Sequence, residues 1–454
     1  MPHRSAAQMY RAARKSDALL TGAPLPTLFY FALPIILGNI FQQLYSIVDA
    51  IVVGNFLGDL PLSGISVASP IVDVANALVI GGTIGVGVLC AHYCGAGEGE
   101  RLRCMNATAL LGGGALTLLI ALCGIFFSTP LLRAQGTEEA VCREAAVYLQ
   151  LVFAGLLFCF LYNYYAAMLR SCGNSRTPFL ILLLSSTLHA LLDVLFVGVF
   201  GWGIRGVAFS TVLCQALAAA ACILYAQRRC PPLLLRPANL RFDRQMARLV
   251  LSYAWAAALQ QAVVCIGRLL VQGMLTPLGT STVTGYNMSL RTEQFLFCFS
   301  QGISAAMVVC LSQNLGHGDR PRARRFFRIS VLVELALIAL LGTVCFLFPA
   351  RIVGLFSDNA DVIAAGAQYT GAMAYLYVFA YLGEVIQGFF RGLGRLRLTM
   401  VASLLQVLLR VVLSYLLIPV WGMYGICAAV VSGWVLLVGI EGAYAVRKSR
   451  ALAA

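Results

Sequence analysis

Charge is the scarcest commodity in this sequence. Only 11% of its 454 residues are charged, Asp and Glu together number 18, and His occurs four times. Hydrophobic residues make up 60%, and the mean hydropathy is +0.86. That composition excludes an ordinary soluble domain and places the chain among polytopic helical membrane proteins. Short alternating segments of the β-barrel kind are missing; the apolar runs are long and unbroken. The first 26 residues are basic and polar and lack the apolar stretch of a signal peptide. The 15 Cys show no metal-type spacing, and Cys123, Cys159, Cys222, Cys265 and Cys298 lie inside apolar runs. They read as small buried hydrophobes, not as a disulfide framework. The Gly-containing stretches GAGEG and GHG lack the GxxxxGK[ST] pattern of a phosphate loop. No nucleophile–base pair stands out either, so neither an enzyme nor a bound cofactor is expected. The net charge is +14 with a pI near 9.3, but the basic residues sit in short loops between apolar segments. A lipid bilayer, not nucleic acid, is the expected surrounding.

What the sequence has in abundance is membrane-length apolar runs, about twelve of them. They cover 27–54, 63–92, 105–128, 143–168, 178–200, 204–227, 249–275, 282–314, 328–349, 361–389, 398–419 and 423–446. If the N-terminus is cytoplasmic, 25 of the 32 Lys and Arg fall in cytoplasmic segments and only Arg133, Arg143, Arg205 and Arg351 lie outside. The positive-inside rule then predicts an all-α integral membrane protein with twelve transmembrane helices and both termini cytoplasmic. The expected divisions are a cytoplasmic tail (1–26), a six-helix lobe (27–229), a basic, Pro-containing linker (230–248), a second six-helix lobe (249–446) and a short tail (447–454).

The two lobes repeat. A shift of 221 residues places Gly58 on Gly279, Gly81 on Gly302, Gly97 on Gly318, Arg101 on Arg322 and Tyr148 on Tyr369. Arg170, Gly173 and Arg176 fall on Arg391, Gly394 and Arg397, and after a two-residue slip Trp202-Gly203 falls on Trp421-Gly422. Six helices per unit is an even number, so the units share one orientation. The pattern predicts two pseudo-symmetric bundles about an axis along the membrane normal, with a cavity between them.

Polar residues within the apolar runs mark the candidate site. The first run, 33–58, carries Pro34, Gln42, Tyr45 and Asp49. An acid within a membrane helix costs roughly 2.5–3.5 kcal/mol on insertion scales and normally faces a cavity or a partner. Pro34 is expected to bend this helix. Asp193 lies near the outer end of the fifth run, and His189 is four residues earlier on the same face. Thr211, in the sixth run, is at a similar depth. As oxygen ligands, Asp49, Asp193 and Thr211 would hold Na⁺; as coupled acids, the carboxylates would share protons. His189 is either a titrating partner or a hydrogen-bonded core histidine. Asp73 and Asn76 share a face of the second helix and could line the same cavity, as could aromatics such as Tyr45. Asn163 matches Glu384 in the repeat, and both lie in the cytoplasmic half. In the second lobe, Leu270 stands opposite Asp49, Ser414 opposite Asp193 and Arg410 opposite His189. That lobe is expected to bury Arg268, Arg291, Glu293 and Arg410, as a salt-bridge cluster or as an anion-accepting face. The coupling cation therefore belongs to the first lobe.

Three stretches carry a family resemblance: LPIILGNIFQQLYSIVDAIVVGNFLG at 33–58, GAGEGERLR at 95–103 with its counterpart GHGDRPRAR at 316–324, and RSCGNSRTP at 170–178 with its counterpart RGLGRLRLT at 391–399. In order and duplication, the chain resembles the multidrug and toxic compound extrusion (MATE) family, in its bacterial DinF-like branch. The resemblance implies a monomeric, cation-coupled antiporter of the bacterial inner membrane. It would export organic, cationic or amphipathic compounds as H⁺ or Na⁺ enters. It also implies an acid in the first helix, an Asn and an Asp one turn apart in the fifth and a Thr in the sixth. Asp49, Asp193 and Thr211 match, but His189 replaces the Asn, which tilts the expectation towards H⁺. The rival reading is an exporter or flippase of a lipid-linked saccharide or other anionic precursor, which the arginines of the second lobe would suit.

Overall fold

A computed structural model describes residues 18–235 and 241–452. Within them there are helices and no strands. The longer helices are α1 (Pro24–Leu57), α2 (Asp59–Ala96), α3 (Gly99–Ala134), α4 (Glu139–Ser171), α5 (Arg176–Asp193), α6 (Gly203–Arg229), α7 (Arg244–Gly273), α8 (Thr280–His317), α9 (Arg320–Leu347), α10 (Ala360–Met373), α11 (Tyr377–Gly392), α12 (Leu396–Trp421) and α13 (Met423–Ala451). Eleven of the spans are long and apolar enough to cross a membrane, and α10 with α11 makes a twelfth, bent by 58°. Closed helices are what an apolar solvent demands, because every backbone N–H and C=O must find its partner inside the chain.

The helices outrun their apolar cores. The second run, expected over 63–92, is a helix from Asp59 to Ala96. Hydropathy sees the part in lipid, whereas the backbone continues to the next tight turn. Those turns repeat between the halves. Gly97 ends α2 at φ +75° and Gly318 ends α8 at φ +90°, left-handed conformations that favour Gly. Both helices they end are 38 residues long. The sequence repeat is thus a repeat of backbone turns.

Two spans depart from a plain helix. After Asp193 the fifth span widens into a π-helical turn over Val194–Val199. The tenth, expected as one helix over 361–389, breaks between Met373 and Tyr377 without a proline. Gly342 of α9 meets the break closely: a Cβ there would lie 2.8 Å from the Ala374 carbonyl oxygen.

The chain forms two compact units. Unit 1 includes residues 37–262 and unit 2 residues 19–36 and 263–454. The divisions fall inside α1 and α7, not at the 230–248 linker. Each unit therefore includes the first part of the other half's leading helix. Two matched glycines account for this. A Cβ on Gly81 of α2 would lie 2.6 Å from the Ala257 oxygen of α7, and one on Gly302 of α8 would collide with Ile36 of α1. Such backbone-close contacts are how helices associate where no hydrophobic force distinguishes protein from lipid. Pro34 lies inside α1, two residues before the division, and α1 continues unbroken through it.

All 15 Cys are free thiols, and several are not the buried hydrophobes expected: Cys123 is exposed, and Cys94, Cys104, Cys172, Cys230 and Cys265 are half-buried.

Candidate functional site

In unit 1, α5 and α6 form a hairpin that carries the polar centre. Asp193, the last residue of α5, is fully buried, and His189 one turn earlier is 3% exposed. His189 Nδ1 lies 2.8 Å from Asp193 Oδ2, a close contact that falls short of a well-aligned hydrogen bond. On the far side of the ring, Nε2 is 2.9 Å from Thr211 Oγ1. Three of the four residues assigned to cation coupling are thus brought together. The fourth, Asp49, lies on α1, and its side chain, like that of Tyr45, falls outside the described residues.

The hairpin adds one residue that sequence reasoning missed. Ser210, fully buried, donates to Asp193 Oδ1. It is an ordinary hydroxyl in an apolar helix, and only its place beside Thr211 marked it. The geometry around it is held from two sides. Gly155 of α4 has no room for a Cβ against Val212, so α6 sits directly on α4. The π-turn carries Phe196, which stacks on Trp202 at 4.9 Å, and both rings also touch Phe209 of α6. These aromatics fasten α5 to α6 one turn beyond Asp193. π-turns of this kind recur at functional sites.

The proton count in this network is constrained. Thr211 Oγ1 lies 2.9 Å from the Val207 carbonyl and 2.9 Å from His189 Nε2, but it has one proton. When the hydroxyl donates to Val207, the bond to His189 requires the proton to be on Nε2. When Nε2 is bare, the hydroxyl must turn to it and release Val207. Asp193 meanwhile accepts from Ser210 at Oδ1, while Oδ2 has the imidazole against it without a well-aligned hydrogen bond.

The other candidate residues distribute differently. Asn76 and Asn163 meet through Cys159, whose thiol is 3.5 Å from Asn76 Oδ1; Asn163 Nδ2 donates to the Cys159 carbonyl at 2.9 Å. This joins α2 to α4 within unit 1. Asp73 and Gln42 are exposed.

Unit 2 corrects the expected buried arginine cluster. Arg268 and Arg291 are exposed, and only Glu293 and Arg410 are half-buried. Arg291 is two residues from Glu293 on α8, so it leaves the helix on another face. Glu293 instead has Arg410 and Arg268 as its charged neighbours and accepts from Tyr369 at 3.4 Å and Tyr377 at 3.3 Å. The break between α10 and α11 separates those two tyrosines, which converge on one carboxylate oxygen.

A second acidic group in this unit was not foreseen as a cluster. Glu334 of α9 and Glu441 of α13 are fully buried, and each has Glu384 of α11 as a charged neighbour. Glu384 is paired with Arg391 at 2.5 Å, and Arg391 also reaches Ser304 of α8 at 3.4 Å. Single acids in three separate runs carry no sequence signal that they share a neighbour.

Comparison with known proteins fits this architecture. The profile of the MatE family matches twice, over residues 34–195 and 256–416, in the register of the 221-residue repeat. "Probable multidrug resistance protein YpnP" of Bacillus subtilis is 27% identical over 387 residues, 85% of this chain and 86% of its own length. "Probable multidrug resistance protein NorM" of Thermotoga maritima is 23% identical over 388 residues, covering 84% and 82%. A crystal structure of MATE in the straight conformation superposes with a TM-score of 0.88 at 20% identity, covering 96% of this chain and 99% of that one. With its duplicated helical units, its many membrane-length spans and both halves of the profile matched, the chain belongs to the MatE family of multi-pass membrane transporters.

Proposed function

We propose that the chain is a proton-coupled antiporter that exports organic cationic or amphipathic compounds across the bacterial cytoplasmic membrane by alternating access. The observation that carries this reading is the fully buried Asp193 in contact with His189, with Thr211 closing the far side of the ring. Both side chains are ionisable, and intramembrane ionisable groups are functional by default. A proton can enter this network by shifting hydroxyl and imidazole protons, without moving a heavy atom far. Na⁺ would need several oxygen ligands. Here one carboxylate oxygen faces an imidazole nitrogen, a poor ligand for a hard cation. Asp49, on the same unit's stretch of α1, is the second carboxylate of this reading, and Pro34, inside the continuous helix α1, is the point at which α1 would bend in response.

Ethidium efflux from proteoliposomes, driven separately by an imposed H⁺ gradient and an imposed Na⁺ gradient, tests the proposal. Efflux is expected with H⁺ alone and is expected to be lost in Asp49→Asn while the protein still elutes as a monomer. Efflux driven by Na⁺ alone would overturn proton coupling. Absence of efflux under both gradients, with folded protein, would overturn the export of organic cations.

A further inference from the structure

Four thiols converge at one end of unit 1. Cys90 and Cys94 share a face of α2, one turn apart. Cys172 is the first residue after α4, and Cys230 the first after α6. The sulfurs of Cys90, Cys94 and Cys172 all lie within 4.8 Å of one another, and those of Cys94 and Cys172 are 3.2 Å apart. Cys230 is the neighbouring thiol on the Cys172 side, just outside that group. These residues have no compact motif because three helices each deliver part of the set. That is why the spacing 90, 94, 172 and 230 does not look like a metal site in the sequence.

The surroundings hold the thiols in place. Ser171, beside Cys172, donates to the Gly87 carbonyl of α2 at 2.8 Å, which ties the end of α4 to the turn before Cys90. Asn106 of α3 donates to the Leu233 carbonyl at 3.2 Å and accepts from Tyr164 at 2.7 Å, anchoring the 3₁₀ turn Pro231–Leu233 that follows Cys230. Asn174 donates to Tyr225 at 3.1 Å and so fixes the α4–α5 loop on α6. Cys90 is fully buried and the other three are half-buried, so the set is closed on one side and reachable from the other.

We propose that Cys90, Cys94, Cys172 and Cys230 bind a thiophilic d¹⁰ metal ion, Zn²⁺ or Cu⁺, as a structural clasp across the ends of α2, α4 and α6. In a tetrahedral Zn–S₄ centre, bonds of about 2.3 Å put the sulfurs about 3.8 Å apart. The sulfurs of Cys90, Cys94 and Cys172 already lie within 4.8 Å of one another, and binding would draw the Cys230 sulfur in to complete the set. The donor set is all sulfur, which selects soft ions over Na⁺, Mg²⁺ or Ca²⁺. A closed four-ligand set leaves no open position for chemistry, so the role is structural. The site is separate from the Asp193 network and does not depend on the coupling ion.

The test uses the full-length protein, purified in detergent under anaerobic, reducing conditions and passed through gel filtration. Elemental analysis is expected to find one zinc or copper per chain; which metal co-elutes decides between the two ions, and either upholds the thiolate site. Cobalt substitution of a zinc-loaded sample should give thiolate-to-metal charge-transfer absorption. Cys172→Ser should lower metal content about tenfold, while Cys123→Ser, at an exposed position elsewhere, should keep it. Should Cys172→Ser fail to fold, alkylation of the native protein with iodoacetamide gives the same answer: the four thiols should be protected until a chelator is added. Metal below a tenth of an equivalent, with all four thiols alkylated at once, would overturn the proposal. So would a Cys94–Cys172 disulfide as the sole modification of the set.

Discussion

Asp193 and His189 of unit 1 stand where unit 2 has Ser414 and Arg410, and Ser210 and Thr211 where it has Ala429 and Val430. The repeated glycine turns are shared, but one copy holds a carboxylate–imidazole network and the other an arginine and a serine whose charged neighbour, Glu293, lies on another helix. In the arginine-bearing half the contrast reverses. Unit 2 has Glu334, Glu384 and Glu441, while the matched residues in unit 1 are Gly113, Asn163 and Cys222. The fully buried acids sit on unmatched helices of the repeat: Asp193 on α5 of unit 1, Glu334 and Glu441 on α9 and α13 of unit 2. A duplicated membrane scaffold evidently does not need the same charges in both copies, because backbone turns and glycine contacts fix it. The charges are free to serve different ends. In this account the Asp193 network carries the proton, and the Glu384–Arg391 pair within α11 steadies the arginine that reaches Ser304 of α8.

The largest effect is expected at Asp193. Asp193→Asn keeps the shape and removes the titration, so proton-driven efflux should fall by about tenfold or more with the protein still folded. Retained activity would place coupling elsewhere and erase the functional side of the contrast. His189→Asn comes next. It restores the amide that the family resemblance implies and removes the ionisable ring, so H⁺-driven efflux should drop several-fold while Na⁺-driven efflux rises, read in the same proteoliposome assay. A variant as proton-driven as the native protein would reduce His189 to a packing residue.

The opposite outcome is expected in unit 2. Glu384→Gln strands the Arg391 guanidinium in a largely buried setting. It should destabilise the protein by roughly 2–4 kcal/mol, seen as a lower thermal-unfolding midpoint, with little change in which ion drives efflux. Combining it with Arg391→Leu should recover much of the loss. If Glu384→Gln instead changed ion dependence without changing stability, the division of labour would be wrong. The smallest effect is expected for Ser210→Ala, about 1 kcal/mol, since Asp193 keeps its histidine contact. A thermal shift measured beside Ala429→Ser, the reciprocal change in unit 2, would calibrate it.

Much of this was legible in the sequence, for identifiable reasons. Twelve spans and the repeat follow from hydropathy and from glycines whose backbone role survives in both copies. The grouping of His189, Asp193 and Thr211 follows from helical periodicity and equal depth. What escaped depends on partners. The helix break after Met373 has no proline to announce it, and the π-turn after Asp193 has no residue signature. Arg268 and Arg291 were expected to be buried because they lie in apolar runs, but run membership says nothing about which way a helix face points. Glu334, Glu384 and Glu441 share a neighbourhood only after α9, α11 and α13 pack. The four thiols of unit 1 come from three helices, and no spacing rule would have joined them.

The most direct test of the central claim is proton release on substrate binding. Purified protein in weakly buffered detergent solution is titrated with ethidium while a pH indicator records the protons set free. The account predicts about one proton per chain for the native protein and for Glu384→Gln, and none for Asp193→Asn. Unchanged release from Asp193→Asn, or its loss in Glu384→Gln alone, would contradict it.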